Sequence, residues 1–125
     1  MTNPVFQEMS ERVRDKVRGF RALAVVSLDG IILDQVVIHP VVDDEALSAY
    51  ATLLRISDRT SQDTRMGELM ETVWIADRSV ALTRRVSSDS FLVLVSDPDV
   101  STGLARYALK QAARRLRTEF ESVDT

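Results

Sequence analysis

Asp29-Gly30 separates two short apolar runs, RALAVVSL and IILDQVVI, and this juxtaposition constrains the fold more than any other feature of the chain. Asp-Gly readily adopts the backbone of a tight antiparallel turn, so the two β-branched runs are expected to form a hairpin. The first run is apolar on both of its faces. A sheet containing it must be covered on both sides, and helices are the natural cover.

The rest of the chain supplies those helices. Upstream, Phe6, Met9, Val13 and Val17 recur every three or four residues among charges, the pattern of an amphipathic helix with Pro4 in its first turn and Gly19 at its end. Downstream of His39-Pro40, Asp43 can cap a second helix, with Asp44 and Glu45 at the positive end of its dipole. Its apolar stripe is Ala46, Leu47, Ala49, Tyr50, Leu53 and Leu54; it fades beyond Ile56, and Gly67 marks a stop or turn.

Three strand-like runs follow, ELMETVWIA, SVALTRRV and SFLVLVS, joined by connectors short enough for an antiparallel meander. In the second of them Val80, Leu82 and Val86 share one side, and Arg84 falls on that apolar side. It is expected to lie at a sheet end, to pair with an acid or to face a helix rim. Asp97-Pro98-Asp99 breaks the last strand, and Asp99 or Ser101 can cap a closing helix on which Leu104, Ala108, Ala112, Leu116 and Phe120 lie four apart. Helix, hairpin, helix, meander, helix is thus an α+β order, α-ββ-α-βββ-α, within a chain whose 125 residues suit one domain, 1–125.

Composition narrows the function. With no Cys, the chain forms no disulfide and no thiolate metal site. It has no apolar run long enough to span a bilayer, and its polar start is unlike a signal peptide, so a cytoplasmic location is expected. A net charge of -3 argues against a sequence-independent grip on nucleic acid. The charge is unevenly placed: Arg12, Arg14, Lys16, Arg18 and Arg21 stand near the start and Arg106, Lys110, Arg114, Arg115 and Arg117 near the end, whereas Asp29 to Glu45 contains five acids and no Lys or Arg. Such asymmetry steers complementary partners, although charged helix faces are also simply solvated.

Catalytic signatures are missing. The lone His39 reads as a turn residue beside a helix cap, and the sequence has no H-E-x-x-H, EF-hand, phosphate-loop, G-x-G-x-x-G or G-x-S-x-G spacing. No catalytic residue, metal or cofactor is expected, and the chain is read as a non-enzyme. Trp74 has two readings, an interface anchor or a core residue, and Tyr50 and Leu54 carry the same ambiguity.

The order of elements and several local runs resemble the Roadblock family, which includes dynein light chains and bacterial and archaeal regulators of small Ras-like GTPases. RALAVVSLDGIIL resembles its opening hairpin, ALSAYATLL its middle helix, ELMETVWIA, SVALTRRV and SFLVLVS its last three strands, and GLARYALKQAARRL its closing helix. The resemblance implies a Roadblock/profilin-like five-stranded antiparallel sheet in the order 2-1-5-4-3, with the middle helix on one face and the terminal helices on the other. It also implies a homodimer built from middle helices and third strands, placing Leu47, Tyr50, Leu54, Met70, Thr72 and Trp74 near the interface. Arg55 and Arg59, at the polar end of the middle helix, are candidates to address a GTPase and are equally candidates for plain solvation.

The first functional reading is therefore a noncatalytic dimeric regulator or adaptor that binds a small Ras-like GTPase. Because no arginine-finger context is recognisable, any stimulation of GTP hydrolysis would act by reorganising the GTPase's own loops. An alternative is a structural scaffold in a motility or signalling complex without a GTPase. A small-ligand sensor is a third reading; it predicts an enclosed polar pocket, against which the Ala-rich helix faces argue.

Overall fold

Asn3 opens the first helix: its side-chain oxygen accepts from the Val5 N–H at 2.8 Å, and Pro4 occupies the first helical position, where no N–H is needed. In the computed structural model, which describes residues 3–40 and 42–123, this helix is α1 (Pro4–Lys16). It is followed by β1 (Phe20–Ser27), β2 (Ile32–Val37), α2 (Asp44–Asp63), β3 (Glu71–Ile75), β4 (Val80–Ser87), β5 (Ser90–Ser96) and α3 (Thr102–Val123). The strands form one sheet in the order β2-β1-β5-β4-β3, with every neighbouring pair antiparallel. The expected α-ββ-α-βββ-α architecture and strand order are those observed.

The doubly apolar first strand explains the layers. On one side of the sheet Leu23 and Val25 of β1 join Leu82, Leu92 and Leu94 beneath α1 and α3. On the other, Ala22, Ala24 and Val26 join Ala81, Phe91, Val93 and Val95 beneath α2. Period-two alternation divides each central strand between the two cores. The small Ala22, Ala24 and Ala81 leave room for Leu47 and Leu54 of α2, both fully buried, and each such burial contributes about 1.5–3 kcal/mol.

At the entrance to β1, Gly19 adopts φ +77°, and a Cβ there would stand 2.7 Å from the Asp97 Cβ. Glycine takes that conformation without strain, and without a Cβ it permits the close approach. The Asp97 N–H donates to the Gly19 carbonyl at 2.9 Å, and the Asp97 carboxylate accepts from Arg21 Nε at 2.8 Å.

Several sequence expectations shift by a turn or a face. The first helix closes at Lys16 with Val17 as its C-cap, and Gly19 serves the turn into β1. Leu53 belongs to the outer face of α2, and Leu104 of α3 is exposed; Ala105, Ala108, Leu109, Ala112, Ala113 and Leu116 form the buried face. The helical stripe is wider than one row of residues four apart, and packing on the sheet selects which part of it is covered.

Candidate interaction surface

Among the described residues β3 pairs only with β4, which leaves one side of its backbone as a sheet edge. Thr72 and Trp74 lie opposite Thr83 and Ala81, which places both on the α2 side. Across this pair Thr72 Oγ1 and Thr83 Oγ1 share a hydrogen bond of 2.6 Å. The Trp74 ring stacks on Tyr50 of α2, with centroids 5.5 Å apart and planes inclined by 23°. Both rings are half-buried. Burial raises the Tyr50 hydroxyl above its ordinary pKa, partly countered by the charge of Arg21. On the opposite side of β3 Val73 and Ile75 are exposed, Ile75 by 72%. Glu71 on that side makes a bidentate ion pair with Arg106 of α3, at 2.7 and 3.0 Å.

The connection from α2 to β3 is held from beneath by Arg85. Alternation along β4 points Arg85 toward α2, where it meets Asp58, and leaves Arg84 on the α3 side opposite Glu71, whose carboxyl its charge helps to lower. The guanidinium donates from Nε to the Leu69 carbonyl at 2.7 Å and from Nη1 to the Ser88 carbonyl at 2.7 Å. It also lies 4.6 Å from the centre of the Phe91 ring. Its Nη2 stands 2.7 Å from Asp58 Oδ1 in a buried ion pair. Asp58 in turn accepts from the Leu69 N–H and from Gln62, both at 3.0 Å. Burial pushes the Asp58 carboxyl up, but the bonds from Leu69, Arg85 and Gln62 outweigh it and hold the group below its ordinary range. Sequence reading missed both residues, because Asp58 and Arg85 sit 27 positions apart in runs of other charges.

The expected interface residues divide accordingly. Tyr50, Met70, Thr72 and Trp74 lie along the β3 margin, with Met70 36% exposed. Leu47 and Leu54 are fully buried inside the subunit, so they support α2 from below and offer no surface. The apolar side chains that α2 turns outward are Leu53 and Ile56. Arg55 and Arg59 are exposed on the same helix; Arg55 reaches the Leu28 carbonyl at 3.5 Å, and Arg59 makes a loose pair with Asp63 at 3.8 Å. Among the described residues no cluster of His, Asp and Glu could hold a metal ion, and no helix is long and apolar enough to cross a membrane.

A five-stranded antiparallel sheet with one helix on one face and two terminal helices on the other, open at β2 and β3, defines a class of small α+β domain. That class is the Roadblock/LC7 fold, as the resemblance implied. A Roadblock/LC7 domain from Streptomyces avermitilis superposes with a TM-score of 0.81 over 97% of this chain and 99% of its own, at 14% identity. Myxococcus xanthus MglB matches with a TM-score of 0.81 at 19% identity, covering 96% and 94% of the two chains. MglC from Myxococcus xanthus is 28% identical, with a TM-score of 0.68 over 92% of this chain and 98% of its own. An uncharacterised protein of Methanocaldococcus jannaschii is 27% identical over 107 residues, 85% of this chain and 92% of that protein. No protein-family model matches the sequence.

Proposed function

We propose that this chain is a noncatalytic homodimeric regulator or adaptor that binds a small Ras-like GTPase in the cytoplasm and modulates or reads its nucleotide cycle. One observation carries this reading: a Roadblock/LC7 fold whose β3 edge is unpaired and flanked by apolar side chains. An unpaired edge invites another strand unless charge, proline or a bulge blunts it. The run ETVWI has no proline and no bulge in its pairing with β4, and its one charge is neutralised by Arg106. Two copies meeting edge to edge about a twofold axis extend the sheet and bring Met70, Thr72 and the Tyr50–Trp74 stacks to the seam.

Dimerisation also sets two copies of α2 side by side. Their outward Leu53 and Ile56, with Arg55 and Arg59 beside them, offer an apolar strip bordered by cations to an acidic patch on the GTPase. With no arginine-finger context, the effect on hydrolysis comes from preferring one arrangement of the GTPase's switch loops. The structural likeness to MglB and MglC supports the choice of a regulator or adaptor.

Light scattering on the purified protein tests the first half of the reading: a species of twice 14.0 kDa is expected, and a monomer at high concentration counts against it. The second half is tested with a Ras-like GTPase from the same genome, loaded with GDP or with a non-hydrolysable GTP analogue. State-dependent binding supports the reading, and absence of binding to either state sinks it.

A further inference from the structure

The sheet has a second unpaired edge, and its chemistry differs from that of β3. Among the described residues β2 pairs only with β1, and Ile31, Leu33, Val37 and Ile38, along or just beyond it, are 59%, 52%, 36% and 47% exposed. These are four of the twelve large hydrophobic side chains exposed among the described residues, gathered into eight consecutive positions. In the sequence around them the charge has one sign, Asp29, Asp34, Asp43, Asp44 and Glu45 falling in a stretch without Lys or Arg, and the neighbouring Arg21 of β1, whose carbonyl accepts from the Ile38 N–H, is held by Asp97. The start of α2 closes one flank of this edge, where Gln35 Nε2 donates to Asp44 at 3.2 Å. There Gln35, Val37, Val42, Asp43, Asp44 and Glu45 line a shallow hollow.

We propose that the β2 edge is a docking site for an extended segment of a partner protein that is both apolar and cationic, bound by strand addition. Main-chain hydrogen bonds to a free edge supply affinity, and alternate side chains supply specificity. The acids choose among occupants. A second copy pairing through β2 about a twofold axis would bring Asp34, which accepts from the Asn3 N–H on the α1 side, and Asp43 and Asp44, at the start of α2 on the other side, toward their own symmetry copies, and like charges brought together are destabilising. At β3 the corresponding acid is already matched by Arg106, so that edge is free to pair with itself. A cationic strand is attracted to the acids at β2 while its apolar residues cover Leu33 and Val37. The β1–β2 register skips Leu33, passing from Val25↔Asp34 to Val26↔Ile32, so the incoming strand pairs along Asp34 to Ile38. The Gln35 N–H now donates to its neighbour Asp34 at 3.0 Å, a local bond that a partner carbonyl can replace.

The test is titration of the full chain, followed by amide NMR, with a short synthetic peptide alternating valine and lysine and with a control carrying glutamate for lysine. The lysine peptide is expected to bind at least about tenfold tighter at low salt, weakening as salt rises, with shifts confined to residues 31–38 and the start of α2. Leu33→Lys with Val37→Lys should weaken binding by about tenfold without altering the backbone, and Gln35→Pro should do so by removing an edge N–H. Equal affinity for the two peptides, shifts centred on β3, or unchanged binding in the double-lysine variant overturns the proposal. So does a higher oligomer that Val37→Lys dissolves, which would assign the edge to a second copy. None of these readouts involves a GTPase, so the outcome is independent of the preceding reading.

Discussion

Arg85 of β4 and Asp58 of α2 meet at 2.7 Å with side chains only 3% and 11% exposed, and this contact ties the middle helix to the sheet. Removing one member of such a pair leaves the other charge buried and uncompensated. Arg85→Met is therefore expected to cost about 3–5 kcal/mol in urea denaturation. Arg85→Lys should not rescue it, because a single ammonium cannot reach Leu69, Ser88 and Asp58 together. Arg85→Met combined with Asp58→Leu should be more stable than Arg85→Met alone.

The same carboxylate makes stability depend on pH. Asp58 ordinarily titrates at 3.8 and is held lower in the fold, by hydrogen bonds that outweigh its desolvation. A folded value below the unfolded one means that the stabilisation is complete above the unfolded value and is lost as pH falls through the folded one. Glu71, lowered from 4.5 by its bond to Arg106, acts in the same direction. Urea midpoints should therefore drop steeply below about pH 4. The drop should be shallower in Asp58→Asn, which starts from a lower midpoint at pH 7.

Two glycines should respond oppositely to alanine. Gly19→Ala combines φ +77° with a 2.7 Å clash against Asp97, so thermal denaturation should show a loss above about 1 kcal/mol. Gly103 lies within α3 with open space around its added Cβ, and Gly103→Ala should stabilise by about 0.4–1 kcal/mol.

Arginine at the β3 margin should dissolve the proposed dimer. Trp74→Arg and Tyr50→Arg disturb a half-buried stack, so Ile75→Arg, at a position 72% exposed, provides the variant least able to harm the fold. Each should halve the mass seen by light scattering while leaving helical circular dichroism in place. A dimer that survives all three removes β3 from the interface.

Charge reversal on α2 separates docking from dimerisation. Arg55→Glu with Arg59→Glu should weaken GTPase binding by about tenfold or more while the oligomeric mass stays unchanged, since both side chains are exposed and make only loose contacts. Binding unaffected by the double reversal assigns these arginines to solvent.

Most of the architecture was readable along the chain because it rests on local and periodic signals. Asp29-Gly30 announces the hairpin, Pro4 and Asp43 start their helices, and β1, apolar on both faces, demands two covering layers. Periodicity also set Leu47, Leu53 and Leu54 on one broad stripe of α2. It could not decide that Leu47 and Leu54 are buried while Leu53 faces outward, because that choice depends on how the helix rolls onto Ala22, Ala24 and Ala81. Period-two alternation in β4 likewise separated Arg84 from Arg85 but could not say which of the two would be buried.

The sequence by itself therefore determined the element types, their order and the two-sided core, since turns, caps and apolar spacing act within a few residues of where they are written. Tertiary structure alone decided that Arg85 is buried against Asp58, that Trp74 stacks on Tyr50, and that Arg106 matches the acid of the open β3 edge while the acids beside β2 stay without such a partner. Those outcomes depend on distances between segments far apart in the chain, and only the packed sheet brings the groups close enough for charge, ring and hydrogen bond to act.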